Sequence, residues 1–468
     1  MKGIFIYEWK RLLRSKVLVA AWLTMLLIGA YGLYCGYEFR TDQVRTAYQI
    51  DTAYRSRVNA QLGKFRILDT VSEQGKKDYK SARDPFLNEY ALQVPAVKRP
   101  APLQAMAIGQ ADNNIFYYNT WIAQSIYSSK TSEIRNPAKL KAGNFDLSFV
   151  IIYLFPLLII ACTHDVVGED RQTGADKLIV VQGRPQWWVS AWRIFFRAGA
   201  VTFLALLLSA AGAMLTDALW TIEALVWMLV TLIYLTFWAA LCFFIVNLTR
   251  TSSLSALVMV SVWILFLFLV PSLIHRGMSK ADLHGVEMAE VEREFSYRVW
   301  GMDPDKLRDT LVMLRPAWKS YDLSDEREIK TISYYTILAS RLSEVGSQRD
   351  EHILSEEETL RWFTAINPGF AAQFLFNRLG GSEASDFVRF RRAAAAFQIA
   401  RMDHVNYYRL SKEAFTRQAF VGSPGFRSPK PHILASQWMA GLSPLLLLSA
   451  GFIVLGIYVS EKTSRSTK

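Results

Sequence analysis

The residues that could carry chemistry are thinly spread, and the densest group falls in one stretch, Gly168-Glu169-Asp170-Arg171-Gln172-Thr173-Gly174-Ala175-Asp176-Lys177-Leu178-Ile179-Val180-Val181-Gln182-Gly183-Arg184-Pro185. It reads as a charged turn, a short helix with an apolar side and a Gly/Pro stop, after which Trp187, Trp188 and Trp192 anchor the chain at an apolar interface. Such a segment offers contacts rather than bond making. No Gly-x-x-x-x-Gly-Lys-Ser/Thr occurs, and neither Gly63-Lys64 nor Gly75-Lys76-Lys77 has the upstream glycine or following hydroxyl of a phosphate cradle. There is no Gly-x-Ser-x-Gly elbow and no His-Glu-x-x-His pair. Cys35, Cys162 and Cys242 fall within or beside apolar stretches, and the six histidines show no pair at ligand spacing, so neither a disulfide framework nor a structural zinc is expected. The chain is expected not to be an enzyme.

The elements that position this stretch follow from composition. Of 468 residues, 51% are hydrophobic and 20% charged, against roughly 25% charged in soluble domains. The deficit is local to six apolar segments, at 17–37, 147–167, 198–215, 224–248, 254–274 and 438–459, each near the length that crosses a hydrocarbon core of about 30 Å. Residues 1–16 place Ile6, Trp9 and Leu13 on one helical face against Lys10, Arg11 and Arg14, the pattern of an interfacial amphipathic helix rather than a signal peptide. The net charge of +12 suits anionic headgroups, and no basic run is long enough for a nucleic-acid face.

Charge asymmetry orients the spans. Lys2, Lys10, Arg11, Arg14 and Lys16 precede the first, Arg171, Lys177, Arg184, Arg193 and Arg197 lie between the second and third, Arg250 lies between the fourth and fifth, and Lys462, Arg465 and Lys468 follow the sixth. These segments are expected on the cytoplasmic side, with both termini there. The expected fold is an all-α polytopic membrane protein, with six transmembrane helices and two large, mainly helical extracytoplasmic domains. The units are a 1–16 interfacial helix, span one at 17–37, outer domain one at 38–146, spans two to five at 147–274 with the loop 168–185, outer domain two at 275–435, span six at 436–459 and a tail at 460–468. Pro95, Pro100 and Pro102 predict an extended stretch, and Asn367-Pro368-Gly369 and Gly380-Gly381 predict stops. Residues 382–417 allow a helix of about 50 Å with Phe387, Phe390, Ala394 and Phe397 on its inner face. Ala205, Ser209 and Ala213 form a small-residue ladder for close helix contact. Pro156, Pro271 and Pro444 bend or interrupt spans two, five and six. No Asp, Glu, Lys or Arg sits near a predicted midplane, which disfavours an ion-driven carrier.

At 168–185 the chain resembles the permease subunit of ABC-2-type transporters, whose loop after the second span holds an acidic residue, a glycine, a short helix and a proline-ended turn. Asn136-Pro137 through Gly143-Asn144-Phe145-Asp146-Leu147-Ser148-Phe149-Val150 looks like the lead into the second span in a subgroup with large outer domains between spans one and two and between five and six. The resemblance implies ATPase-coupling roles for Glu169, Arg171, Gly174, Lys177, Leu178, Gln182 and Pro185. It implies ATP and Mg held by a partner ABC ATPase dimer, a second permease of the same or a related chain, lipid contact, an extracytoplasmic partner and no nucleic acid. The implied location is a bacterial cytoplasmic (inner) membrane and the implied activity ATP-driven export. Force transmission to extracytoplasmic machinery is the alternative, and a receptor without an ATPase the third reading.

Overall fold

The computed structural model describes residues 2–67, 69–128, 144–175, 178, 181, 185–278, 284–429 and 435–466. Helices α1 (Lys2–Arg14) and α2 (Lys16–Lys64) come first. They part at Ser15, whose hydroxyl accepts the Leu18 N–H at 3.4 Å and caps α2. The apolar segment at 17–37 is only the first part of α2. With 49 residues this helix is about 74 Å long, more than twice the hydrocarbon thickness, so its polar half extends beyond the apolar bundle.

Next come α3 (Glu73–Arg83), α4 (Pro85–Leu92) and the strands β1 (Val94–Val97) and β2 (Tyr117–Thr120). Helix α5 is compound, joining Leu147–Phe149, a π-helical turn at Val150–Leu154 and Phe155–Thr163. Then follow α6 (Val166–Thr173), α7 (Gln186–Leu215), α8 (Ile222–Leu248) and a second compound helix, α9, made of Ser252–Ile264, a π-helical turn at Leu265–Leu269 and Val270–Met278. A second polar region holds α10 (His284–Trp300), α11 (Pro304–Leu314), α12 (Glu326–Phe363), α13 (Pro368–Leu379), α14 (Ala384–Ser411) and α15 (Arg417–Val421), followed by α16 (Ala435–Ser466).

Six helices are long and apolar enough to cross a membrane: α2, α5 continued through α6, α7, α8, α9 and α16. The protein is a multi-pass, largely helical membrane protein. Its one sheet among the described residues is the antiparallel β1–β2 pair, in register from Val94 with Thr120 to Val97 with Tyr117. Pro95 lies in β1, whereas Pro102 opens a 3-10 turn at Pro102–Ala105, so the proline stretch is extended only in its first part.

Helix α8 is the axis of the bundle. Of its most apolar stretch 78% is buried, against 11% for α9, because α8 is apolar all round and presents Trp227, Tyr234, Phe237, Trp238 and Phe243 to neighbours on every side. The ladder on α7 closes against it, with Ala205, Ser209 and Ala213 buried and the Trp227 indole N–H donating to Ser209 Oγ at 3.1 Å.

Two prolines are absorbed in the same way. Pro156 and Pro271 each follow a π-helical turn, where a wider backbone relieves the ring's clash with the preceding turn. Proline's missing N–H frees a carbonyl nearby, and in each case a distant side chain donates to one. Tyr234 Oη donates to the Ile152 carbonyl at 2.7 Å, and Asn367 Nδ2 to that of Phe266 at 2.6 Å.

Asn367 also corrects an expectation. Asn367-Pro368-Gly369 is a start rather than only a stop: Asn367 Oδ1 accepts the Gly369 and Phe370 N–H groups at 2.9 and 3.1 Å, and Pro368 takes the first helical position of α13. At 12 residues α13 is too short to span, yet Ala371, Ala372, Leu375 and Phe376 are fully buried in the bundle core, and the ring centroids of Phe376 and Trp227 lie 4.1 Å apart. Leu103, Met106 and Ala107 join the same core from the other polar segment.

The polar segments read as two domains fold against each other. Leu92, Val94, Tyr118 and Ile126 share one apolar cluster with Leu342, Phe390, Phe397 and Phe415. Arg401 holds Glu89 in a buried bidentate pair, and Tyr127 Oη donates to Asp350 at 2.8 Å. The helix expected over 382–417 is α14, shortened to 28 residues and about 42 Å, because the backbone turns left-handed at Lys412 (φ 58°). Its Phe387, Phe390, Ala394 and Phe397 face inward as the spacing predicts.

Gly36 on α2 sets how closely the 3-10 turn approaches. A Cβ there would stand 1.9 Å from the Ala105 carbonyl oxygen, which is backbone and cannot swing aside. Gly36→Ala is expected to destabilise the protein by about 1–3 kcal/mol. Thermal unfolding in detergent measures this, with Gly63→Ala, where a Cβ meets nothing within 4 Å, remaining at or above wild type.

Candidate functional site

The charged loop begins as a continuation of α5. Asp165 lies between α5 and α6, and α6 carries Glu169, Asp170 and Arg171 on little more than two turns. Helix α7 brings Arg193 and Arg197, four residues apart on one face, and α1 brings Glu8 and Arg11. Glu8 is fully buried and accepts from both arginines, Arg193 Nε at 2.7 Å and Arg197 Nε at 2.6 Å.

Each arginine reaches further. Arg193 Nη1 donates to Asp170 Oδ2 at 2.5 Å and to the Val166 carbonyl at 3.3 Å. Arg197 Nη1 donates to Asp165 Oδ1 at 2.8 Å and to the Cys162 carbonyl at 2.7 Å. Arg11 closes the ring with Asp165 Oδ2 at 3.0 Å and with Glu169. Burial by itself would lower the Arg11 guanidinium; the hydrogen bond to Glu169 and the charges of Asp165, Glu169 and Glu8 outweigh it and hold Arg11 above its ordinary value. Three arginines thus face four carboxylates at one end of the bundle. Removing any buried member strands its partners in a low dielectric, so the cluster locks α1, α6 and α7 in one relative position.

A second brace ties α6 to the turn between α8 and α9. Arg171 donates to the Thr249 carbonyl, and Gly168 lies so close to Ser252 that a Cβ would stand 2.4 Å from its backbone nitrogen. Gly174 then ends α6 with φ 73°, a conformation in which any L side chain is strained. Beyond it, Leu178 and Val181 are helical and three residues apart, with 64% and 83% of their surface exposed. Pro185 immediately precedes α7, in extended backbone. Lys177 and Gln182 lie outside the described residues.

The residues singled out from the sequence therefore divide. Glu169 and Arg171 are occupied within the chain, Gly174 shapes the turn, and Leu178 is presented outward. Glu8, Asp165, Asp170, Arg193 and Arg197 form the centre of the site, and sequence reasoning had treated the two α7 arginines only as markers of orientation. The available signal was Glu8, the one acid among five cations in residues 1–16, together with the i, i+4 arginine pair ahead of an apolar run. Among the described residues no cluster of three or more His, Cys, Asp or Glu side chains suits a metal ion.

Comparison of the chain with protein families, with curated proteins and with solved structures returned no match.

Proposed function

We propose that the protein is the permease subunit of an ATP-driven ABC-2-type transporter, an exporter, coupled to a separate ATPase through the segment 168–185. The observation that carries this reading is mechanical. Helix α6 is braced to α1, α7 and the α8–α9 turn, while beyond Gly174 the apolar Leu178 and Val181 face outward at the bundle's polar end. Exposed apolar side chains beside a rigid mount suit a partner that pushes, because a displacement there moves three helices rather than one loop. In this reading two such permeases sit over an ATPase dimer that holds ATP and Mg, with 168–185 and both ends of the chain cytoplasmic.

Force transmission without a transported substrate is the second reading. What favours it is the joint between bundle and polar body: α13 and the 102–105 turn are seated in the bundle core, so motion of the spans carries the body with them.

Topology is tested by single-cysteine labelling on a background lacking Cys35, Cys162 and Cys242. Cysteines at positions 64 and 412 are expected to react with an impermeant reagent in intact cells, and one at 178 only after the inner membrane is opened. Protection of position 412 in intact cells would overturn the orientation. The purified chain alone is expected to hydrolyse no ATP, and co-purification with a Walker-A protein tests the coupling.

A further inference from the structure

Between α1, α2 and α7 runs an open groove of about 470 Å³ lined by Trp9, Trp22, Trp192, Phe195 and Phe203, with Gly199 among the lining residues. Its dimensions are those of one half of a bilayer. From Trp192 to Phe203 the α7 axis rises about 16 Å, close to half of a hydrocarbon core of about 30 Å. Trp9 and Trp192 lie at the end nearest the charged cluster, where an indole sits at the boundary between headgroups and acyl chains.

On α1 the exposed charge at that end is positive, while the carboxylates of the cluster are engaged by its arginines. Glu8, the only acid of α1, is buried under Arg193 and Arg197, and Arg11 is held by Asp165 and Glu169. Lys10 and Arg14 remain exposed on α1, one turn apart and flanking Trp9 and the exposed Leu13. The α1 side of the mouth carries these two cations, and the floor is apolar.

We propose that this groove holds one acyl chain of an anionic phospholipid, with its headgroup on Lys10 and Arg14. The inference rests on membrane embedding and stands apart from the transporter reading. Because Trp9 adjoins Glu8, a chain in the groove fills the space beside α1 and keeps Glu8 seated between the two arginines. Lipid composition thereby acts on the charged cluster.

The purified full-length chain, delipidated in detergent, is titrated with phosphatidylglycerol or phosphatidylcholine and examined by native mass spectrometry. Phosphatidylglycerol with a brominated acyl chain serves as the fluorescence probe, since bromine quenches the lining indoles on contact. One tightly retained phosphatidylglycerol per chain and strong quenching are expected. Gly199→Phe fills the groove without strain, a Cβ there meeting nothing within 4 Å, and should abolish both signals; Gly451→Phe on α16, equally unhindered, should change neither. Lys10→Gln and Arg14→Gln should each weaken phosphatidylglycerol binding about fivefold and leave phosphatidylcholine unaffected. Equal retention by Gly199→Phe and wild type, or equal affinity for the two lipids, overturns the proposal. So does efficient disulfide formation between copies carrying Phe203→Cys on a background lacking the native cysteines, which would place a second copy in the groove.

Discussion

Glu8→Gln is expected to destabilise the protein by about 3–5 kcal/mol, since the substitution leaves two arginines with a buried charge and no common counter-ion. The glutamine keeps the shape of the side chain, so the loss is electrostatic rather than a cavity. Arg193 retains Asp170 and Arg197 retains Asp165, and both carboxylates lie nearer the edge of the cluster. Only the carboxylate between the two guanidiniums is fully buried, and it alone bonds both. The midpoint of thermal unfolding in detergent reads the effect, with Lys16→Gln, an exposed cation outside the cluster, as the control. The double variant Glu8→Gln/Arg197→Gln should recover part of the loss, because the stranded charge is removed together with its partner. A Glu8→Gln midpoint equal to that of Lys16→Gln would show that the cluster does not hold α1.

The second large effect concerns the exposed side of the loop. If the proposed ATPase partner docks on 168–185, Leu178→Asp combined with Val181→Asp is expected to weaken that association by about thirtyfold or more, the loss of an apolar anchor of about 2 kcal/mol or greater. Neither residue touches the bundle core, so insertion and abundance should stay at wild-type levels. Co-purification of the ATPase and its stimulated hydrolysis are the measurements; unchanged values for both would leave 168–185 an ordinary interfacial link.

Glu169 requires a different design, because its partner within the chain is Arg11. Glu169→Lys should lower coupling, and Glu169→Lys with Arg11→Glu separates two causes. Recovery in the exchanged pair assigns the effect to the seat of α1. Persistent loss assigns it to direct contact by the half of the Glu169 side chain that remains exposed.

Much of the architecture was legible in local composition. Partition into a hydrocarbon layer depends on the run of residues itself, so six apolar segments of near-spanning length could be read without knowing what each helix touches. The same holds for the inward stripe of α14 and for the small-residue ladder of α7, where periodicity states which face is hidden but not what hides it. Helix limits were less legible. Apolar content marks what lies in lipid, whereas α2 runs on as a polar helix to Lys64 and α7 begins twelve residues ahead of its expected span, at Gln186.

What the tertiary structure alone decided are the pairings across long separations. Glu8 meets Arg193 from 185 positions away, and Glu89 meets Arg401 from 312. Charge counting takes such residues as solvated or as orientation signals, because nothing in the local pattern tells a buried partner from a surface one. The seating of α13 was hidden for a similar reason. Twelve moderately apolar residues between two polar helices are too few to announce a membrane segment, and only the space beside Trp227 makes burial the lower free energy. Composition thus determined the solvent each segment prefers, a local property. Which charges neutralise one another, and which polar segments share a core, depend on distances that exist only once the helices have assembled.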